Sequence, residues 1–91
     1  MFVQEFEWDS INEAHIMKKN ILPEEVEEVF LENYIIGNAK NNRMFALGRT
    51  IEGRYLTVVY EIISKGNIRV ITARKMKDTE RKYYKKKRGY K

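Results

Sequence analysis

Cysteine is missing from the 91 residues, which removes a disulfide framework, a thiolate metal site and a thiol nucleophile at once. A reducing cytoplasm fits that absence. Histidine occurs once, and the carboxylates keep no ligand spacing around it, so neither a metal site nor a cofactor is expected. Proline also occurs once, with no internal repeat and no low-complexity linker. No apolar run approaches the ~20 residues that span a bilayer. The opening stretch to Asp9 carries acids where a signal peptide needs bases followed by an apolar run. The expectation is therefore one domain, residues 1–91, cytoplasmic and away from membranes.

Hydrophobic residues make up 43% of the chain and charged residues 34%, a balance that suits a globular rather than a disordered protein. Charge is unevenly placed. Residues 1–33 hold nine acids and two bases, whereas residues 65–91 hold two acids and twelve bases. A basic final third in so small a protein is an electrostatic footprint for a polyanion, most often nucleic acid. The blander alternative is a solvated, lysine-rich tail.

Phe2, Phe6 and Trp8 fall on even positions, a period of two that predicts a short strand with one buried face. Ser10 and Glu13 form an S-x-x-E capping box, with Asp9 as the alternative N-cap, for a helix over about residues 10–19. Pro23 suits the first turn of a second helix, and Glu24 and Glu25 complement its dipole. Val26, Val29 and Phe30 make its buried stripe, leaving Glu27 and Glu28 toward water. Four strands follow: a short run at residues 34–36, then 44–48, 55–63 and 68–73, separated by turns at 37–42, 51–53 and 64–67. Gly53 is free to take positive φ. A final helix over about 78–88 is dense in Lys, Arg and Tyr. The order β-α-α-β-β-β-β-α predicts an α+β fold: an N-terminal strand and an αα-hairpin packed on an antiparallel β-meander, helices over one face, with a basic C-terminal helix.

Several stretches carry a resemblance together: Phe6-Glu7-Trp8-Asp9, His15-Ile16, Pro23 to Phe30, Ala46-Leu47-Gly48-Arg49-Thr50, Gly53-Arg54, Ile68 to Lys75, and Glu80-Arg81 with Tyr84. Their order and spacing resemble the BrnT toxin family. The resemblance implies a RelE-like fold and an RNA-cleaving toxin of a type II toxin–antitoxin pair. It also implies a cognate ribbon-helix-helix antitoxin, a toxin–antitoxin heterotetramer, and operator DNA reached only through the antitoxin. Where such proteins tend to carry His-Gly between the first two helices, this chain has Lys19-Asn20; Asn can take the left-handed conformation that Gly provides at a helix C-terminus.

RNA is cut when its 2′-hydroxyl attacks the adjacent phosphate, so a protein must align the attack, move two protons and stabilise the added negative charge. Arginine suits the last task, because its planar fork meets phosphate oxygens in two places. Arg74, ending the last strand before the basic helix, is the first candidate, against the alternative of an ion-paired surface arginine. Arg49, ending an earlier strand, is the second. Arg69 shares strand parity with Ile71 and Ala73, which turns it away from Arg74 and ranks it lower. Glu80 either orients an arginine, the favoured role, or acts as general base. Tyr84, at i+4 from Glu80, either stacks on a base or lends its hydroxyl, against the alternative of packing on the sheet. His15 is a candidate acid or base, though a lone helix histidine is more often structural. Trp8 is read as core. Lys75, Lys77, Arg81, Lys82, Lys85, Lys86 and Lys87 are read as RNA-attracting charge. The competing function is a non-catalytic module that binds nucleic acid or an antitoxin, an inactive relic serving as co-repressor.

Overall fold

A computed structural model describes residues 3–31 and 33–89. The chain runs β1 (Glu5–Glu7), α1 (Ser10–Met17), α2 (Pro23–Val29), β2 (Ile35–Asn38), β3 (Met44–Arg49), β4 (Tyr55–Ser64), β5 (Asn67–Lys75) and α3 (Asp78–Arg88). The element order agrees with the sequence expectation. Phe2, assigned there to the first strand, lies outside the described residues.

The helices start where side chains can satisfy their free N–H groups. Asp9, not Ser10, caps α1: its carboxylate accepts from the N–H groups of Ile11 and Asn12, each at 2.9 Å. Asn12 answers through Oδ1, which accepts from Asp9 N at 2.8 Å. The expected partnership of Ser10 with Glu13 gives way because Asn12 sits one turn from Asp9 and is almost fully buried. Its Nδ2 donates to the carbonyls of Glu7 and Val70, which fastens α1 to β5. At the other end of α1, Asn20 has φ 60°. Asn20 N donates to Met17 O and Ile21 N donates to Ile16 O, the bond pair of a Schellman ending. Asparagine thus supplies the left-handed residue expected of it.

Helix α2 opens on Pro23, with Glu25 accepting from Leu22 N at 3.0 Å. Val26 and Val29 are buried as expected. Glu27 and Glu28, expected in water, are half-buried and engaged: Glu27 accepts from Trp8 Nε1 at 2.7 Å, and Glu28 from Ile51 N at 2.9 Å. Acids on a packed helix can serve as tethers to neighbouring donors, which a charge pattern does not reveal.

The sheet has five strands in the order β1-β5-β4-β3-β2. Strands β2 to β5 form the expected antiparallel meander, with Gly53 at φ 91° in the turn before β4. The first strand does not pack on this meander but extends it, pairing parallel with β5. The period-2 signal fixed its type and left its partner open. A bulge interrupts the β4–β5 pairing: Tyr60 faces Val70 and Val59 faces Thr72, so Ile71 has no opposite number. Past the bulge the parity of β5 reverses. Arg69 lies opposite Glu61 and Arg74 opposite Thr57, residues of one parity on β4. Arg69 and Arg74 therefore share a face, contrary to the simple alternation.

On the other face, Ile16, Ile21, Val26 and Val29 close over Ala46, Leu56, Val58, Tyr60, Ile68, Val70 and Ala73. Each buried aliphatic side chain there contributes roughly 1.5–3 kcal/mol. Helix α2 sits close on β3 because Gly48 has no side chain; a Cβ there would meet Val29 Cγ1 at 2.7 Å. Phe30 packs edge-on against Phe6 and Tyr60, closing one end of the core. Helix α3 does not join this layer. Its Glu80 bonds Thr57 and Arg74, which places it over the opposite face. The expectation of all helices on one face is corrected: the sheet is covered on both sides, partly on the second.

Candidate RNA-cleavage site

Between α3 and the second face of the sheet lies a groove of about 320 Å³. Phe45, Leu47 and Val59 form its floor, with Thr57 and Arg74 at one side and Thr79, Glu80 and Tyr83 from the helix. Apolar floor and charged wall are brought together by register, since Phe45 pairs with Val59 and Leu47 with Thr57.

Arg74 and Glu80 make a two-point ion pair, Nη1 to Oε1 at 2.7 Å and Nη2 to Oε2 at 2.8 Å. Glu80 Oε1 also accepts from Thr57 Oγ1 at 2.9 Å and from Lys77 N at 2.8 Å. The Glu80 carboxyl is held down to about 2, first by the Arg74 hydrogen bonds, against burial, and further by the Lys77 N–H and the Thr57 hydroxyl. The same pair raises Arg74 above the ordinary arginine value, against partial burial. Glu80 is thus an ionised anchor near neutral pH and poorly suited to accept a proton there. Arg74 Nη1 also donates to Lys75 O at 3.2 Å. A guanidinium has five N–H groups. With both on Nη1 and one on Nη2 engaged, the edge formed by Nε and the second Nη2 hydrogen has no partner among the described residues.

The other sequence candidates scatter. Arg49 ends β3, exposed, with its guanidinium 5.8 Å from the Tyr55 ring centre. It also lines a second hollow of about 240 Å³ with Glu28, Thr50 and Tyr84. Tyr84 is buried; its hydroxyl donates to Asn33 O at 2.9 Å and its ring meets Tyr55 edge-on, so it packs on the sheet and offers no face to a base. Its neighbour Tyr83, 48% exposed, stands in the groove instead. His15 is exposed on α1, a helix packed on the far side of the sheet from Arg74. Arg69 shares Arg74's face but is held by Asp9 at 2.7 Å and Glu7 at 3.5 Å. Trp8 is half-buried against the core, as read from the sequence.

Among the expected RNA-attracting residues, Lys75, Lys77, Arg81, Lys82, Lys86 and Lys87 are exposed and Lys85 is half-buried. Six of the eleven bases in residues 65 to 89 lie on α3, beside the groove. Sequence reasoning missed Thr57, Tyr83 and Tyr55. Thr57 gave no signal of its role, since threonine is ordinary in a strand and the same strand also carries Glu61 and Ser64.

A sequence model of the family described as the ribonuclease toxin, BrnT, of type II toxin-antitoxin systems matches residues 8–80. The chain belongs to the BrnT family. It is a ribonuclease toxin, and a cognate antitoxin is its partner. The five-stranded mixed sheet with two short helices before it and one after is consistent with the RelE-like fold expected of BrnT toxins. Comparison with curated proteins returned no match. The matched stretch contains Arg49, Thr57, Arg74 and Glu80 and ends at the first turn of α3. No helix among the described residues is long and apolar enough to cross a membrane.

Proposed function

We propose that the toxin cuts RNA within its chain in the groove under α3, without a metal ion, by directing a 2′-hydroxyl at the adjacent phosphodiester. The observation that carries this is the half-engaged guanidinium of Arg74. Glu80 fixes one edge of it, and the open edge of Nε and Nη2 is suited to two oxygens of a phosphate. A donor already fixed needs no reorganisation as negative charge builds on the phosphorus, and removing such a donor usually costs ~10²–10³ in rate. The hydroxyl oxygen bonds to phosphorus as its proton leaves, and the 5′-oxygen departs with a proton, leaving a 2′,3′-cyclic phosphate. Glu80 positions Arg74; Thr57 and the Lys77 N–H position Glu80. Tyr83 offers its half-exposed ring to a base, the part first given to Tyr84. Arg49 and the lysines of α3 attract and hold the backbone.

In this reading one domain carries the whole activity, in the cytoplasm. The antitoxin has a ribbon-helix-helix domain, its dimer holds two toxins, and operator DNA is bound through it alone. An acidic or amphipathic antitoxin segment covers the basic groove.

The test is induction of the chain and of an Arg74→Ala version in a bacterial host, with growth and RNA integrity followed together. A labelled oligoribonucleotide is then cut in vitro with excess chelator. Growth arrest and RNA loss for the wild type alone, cleavage that survives the chelator, and resistance of a substrate with one 2′-deoxy position at the cut support the mechanism. Cleavage of the deoxy substrate, or its loss with chelator, refutes it. If neither chain harms growth or RNA, the co-repressor reading takes its place.

A further inference from the structure

Tyr55 opens β4 and stands directly opposite Arg49 in the β3–β4 pairing. Three cations surround its ring. Arg81 Cζ lies 4.5 Å from the ring centre, Lys85 Nζ 5.4 Å and Arg49 Cζ 5.8 Å. Tyr84 closes another side, edge-on at 6.0 Å. Arg81 and Lys85 are one helical turn apart on α3 and share a face. Among the described residues neither of them has a carboxylate partner. Attraction between an exposed cation and a tyrosine ring is weak, and three like charges around one ring repel each other within a screening length. An anion seated among them converts that repulsion into attraction.

We propose that Arg81, Lys85 and Arg49 around Tyr55 form a second phosphate-binding subsite, which takes the backbone phosphate next to the one that is cut. This rests on the reading of the groove as the cleavage site. Tyr55 and Thr57 point to the same face of β4, two residues and therefore roughly 7 Å apart along the strand. That spacing is comparable to the separation of neighbouring phosphates in a single strand. Thr57 holds Glu80, Glu80 holds Arg74, and Arg81 is the residue after Glu80. Adjacent residues of α3, Glu80 and Arg81, thus tie the two subsites together and hold their separation. Since RNA is the toxin's substrate, its backbone is the anion that the cluster meets. Arg81 and Lys85 lie beyond the stretch matched to the family.

The probe is a short single-stranded oligoribonucleotide with a 2′-deoxy residue at the cut position, bound by the wild type, by an Arg81→Gln/Lys85→Gln variant and by a charge-keeping Arg81→Lys/Lys85→Arg variant. The same three proteins are assayed for cleavage of the all-ribose strand. Glutamine should weaken binding roughly tenfold or more. It should also reduce the slope of log Kd against log salt by about 0.7, the share of one single-strand phosphate. KM should rise in step while kcat stays near the wild-type value, and the charge-keeping variant should recover most of the loss. Unchanged Kd and slope overturn the subsite. So does a loss confined to antitoxin binding, which would make the cluster a protein-docking surface. Failure of the cleavage reading shows elsewhere, as an Arg74→Ala variant that keeps its kcat.

Discussion

Leu56 and Thr57 are neighbours on β4 and point to opposite sides of one sheet. Leu56 is sealed under the acidic helix α2, among the apolar side chains of the core. Thr57 is as deeply buried, yet its hydroxyl is spent on a carboxylate that holds an arginine at the rim of an open groove. Each face also has one tight Arg–Glu pair. Arg54 gives a single nitrogen, Nη1, to both oxygens of Glu25 at 2.8 Å and to Asn20 O at 3.0 Å, tying the turn before β4 to α2. Arg74 meets Glu80 nitrogen for oxygen and keeps an edge free. The same two residue types thus make a clamp on one side and a presented donor on the other. The difference lies in which edge of the guanidinium is filled.

This contrast can be broken most severely on the packed face. Leu56→Ala leaves a cavity where α2 meets the sheet and should cost about 2–5 kcal/mol, read as a lower denaturant midpoint. If Leu56→Ala cost no more than Val59→Ala on the open side, the division of labour between faces would be wrong. Next in size is the exchange between the two arginines. Arg74→Ala should reduce cleavage by ~10²–10³ while the protein stays folded. Arg54→Ala should cost about 1–2 kcal/mol of stability and leave the cleavage rate of the folded protein unchanged. A reversed pattern in parallel unfolding and single-turnover assays would exchange their roles.

Acid sharpens the comparison further. Glu80 has its carboxyl lowered from 4.5 to about 2. Its pairing with Arg74 therefore stabilises the fold fully above the ordinary carboxylate value and is lost as pH falls from about 4.5 toward 2. With partial solvent screening that contribution is on the order of 2 kcal/mol. Glu80→Gln should flatten this part of the stability-versus-pH curve, and an unaltered curve would show that the pair is not ionised as described. The smallest effect is at the end of α1. Asn20→Ala should cost about 1 kcal/mol because alanine resists φ 60°, whereas Asn20→Gly should be neutral or slightly stabilising in thermal unfolding.

Much of this was legible in the sequence because the signals are local. Period-2 runs, Pro23 and the charge swing from the first third to the last gave the elements, their order and the basic helix. Asn20 was legible as a left-handed stop for the same reason. What escaped depends on chain segments meeting. The parallel pairing of β1 with β5 leaves no trace in either strand alone. Asp9 outcompetes Ser10 as the cap because Asn12 is pinned by the Val70 carbonyl, 58 residues away. Adjacent Tyr83 and Tyr84 differ by a rotation of ~100° on the helix, and only the docking of α3 decides which is buried. Arg74 was legible as a candidate and Glu80 as the holder of some arginine, though not of Arg74 in particular; Thr57 beneath them was not legible, since a threonine in a strand is ordinary. His15 was picked for its chemistry, and no local pattern could show that a whole sheet would stand between it and Arg74.

The unmatched Ile71 makes chain length a functional quantity. With four residues between Arg69 and Arg74, strict alternation would send the two arginines to opposite sides, and the loop-out of one residue brings them back to the same side. Removing Ile71 would restore strict alternation, with Val70 still opposite Tyr60 and Thr72 still opposite Val59, and every side chain would keep its present face. Pairing Ile71 into the ladder, or adding one more residue beside it without a second loop-out, would instead turn the end of β5 over, driving Arg74 toward the apolar layer and Ala73 into the groove. Substitution surveys would pass over this position, because Ile71 itself touches none of the site's chemistry; a one-residue insertion would find it at once.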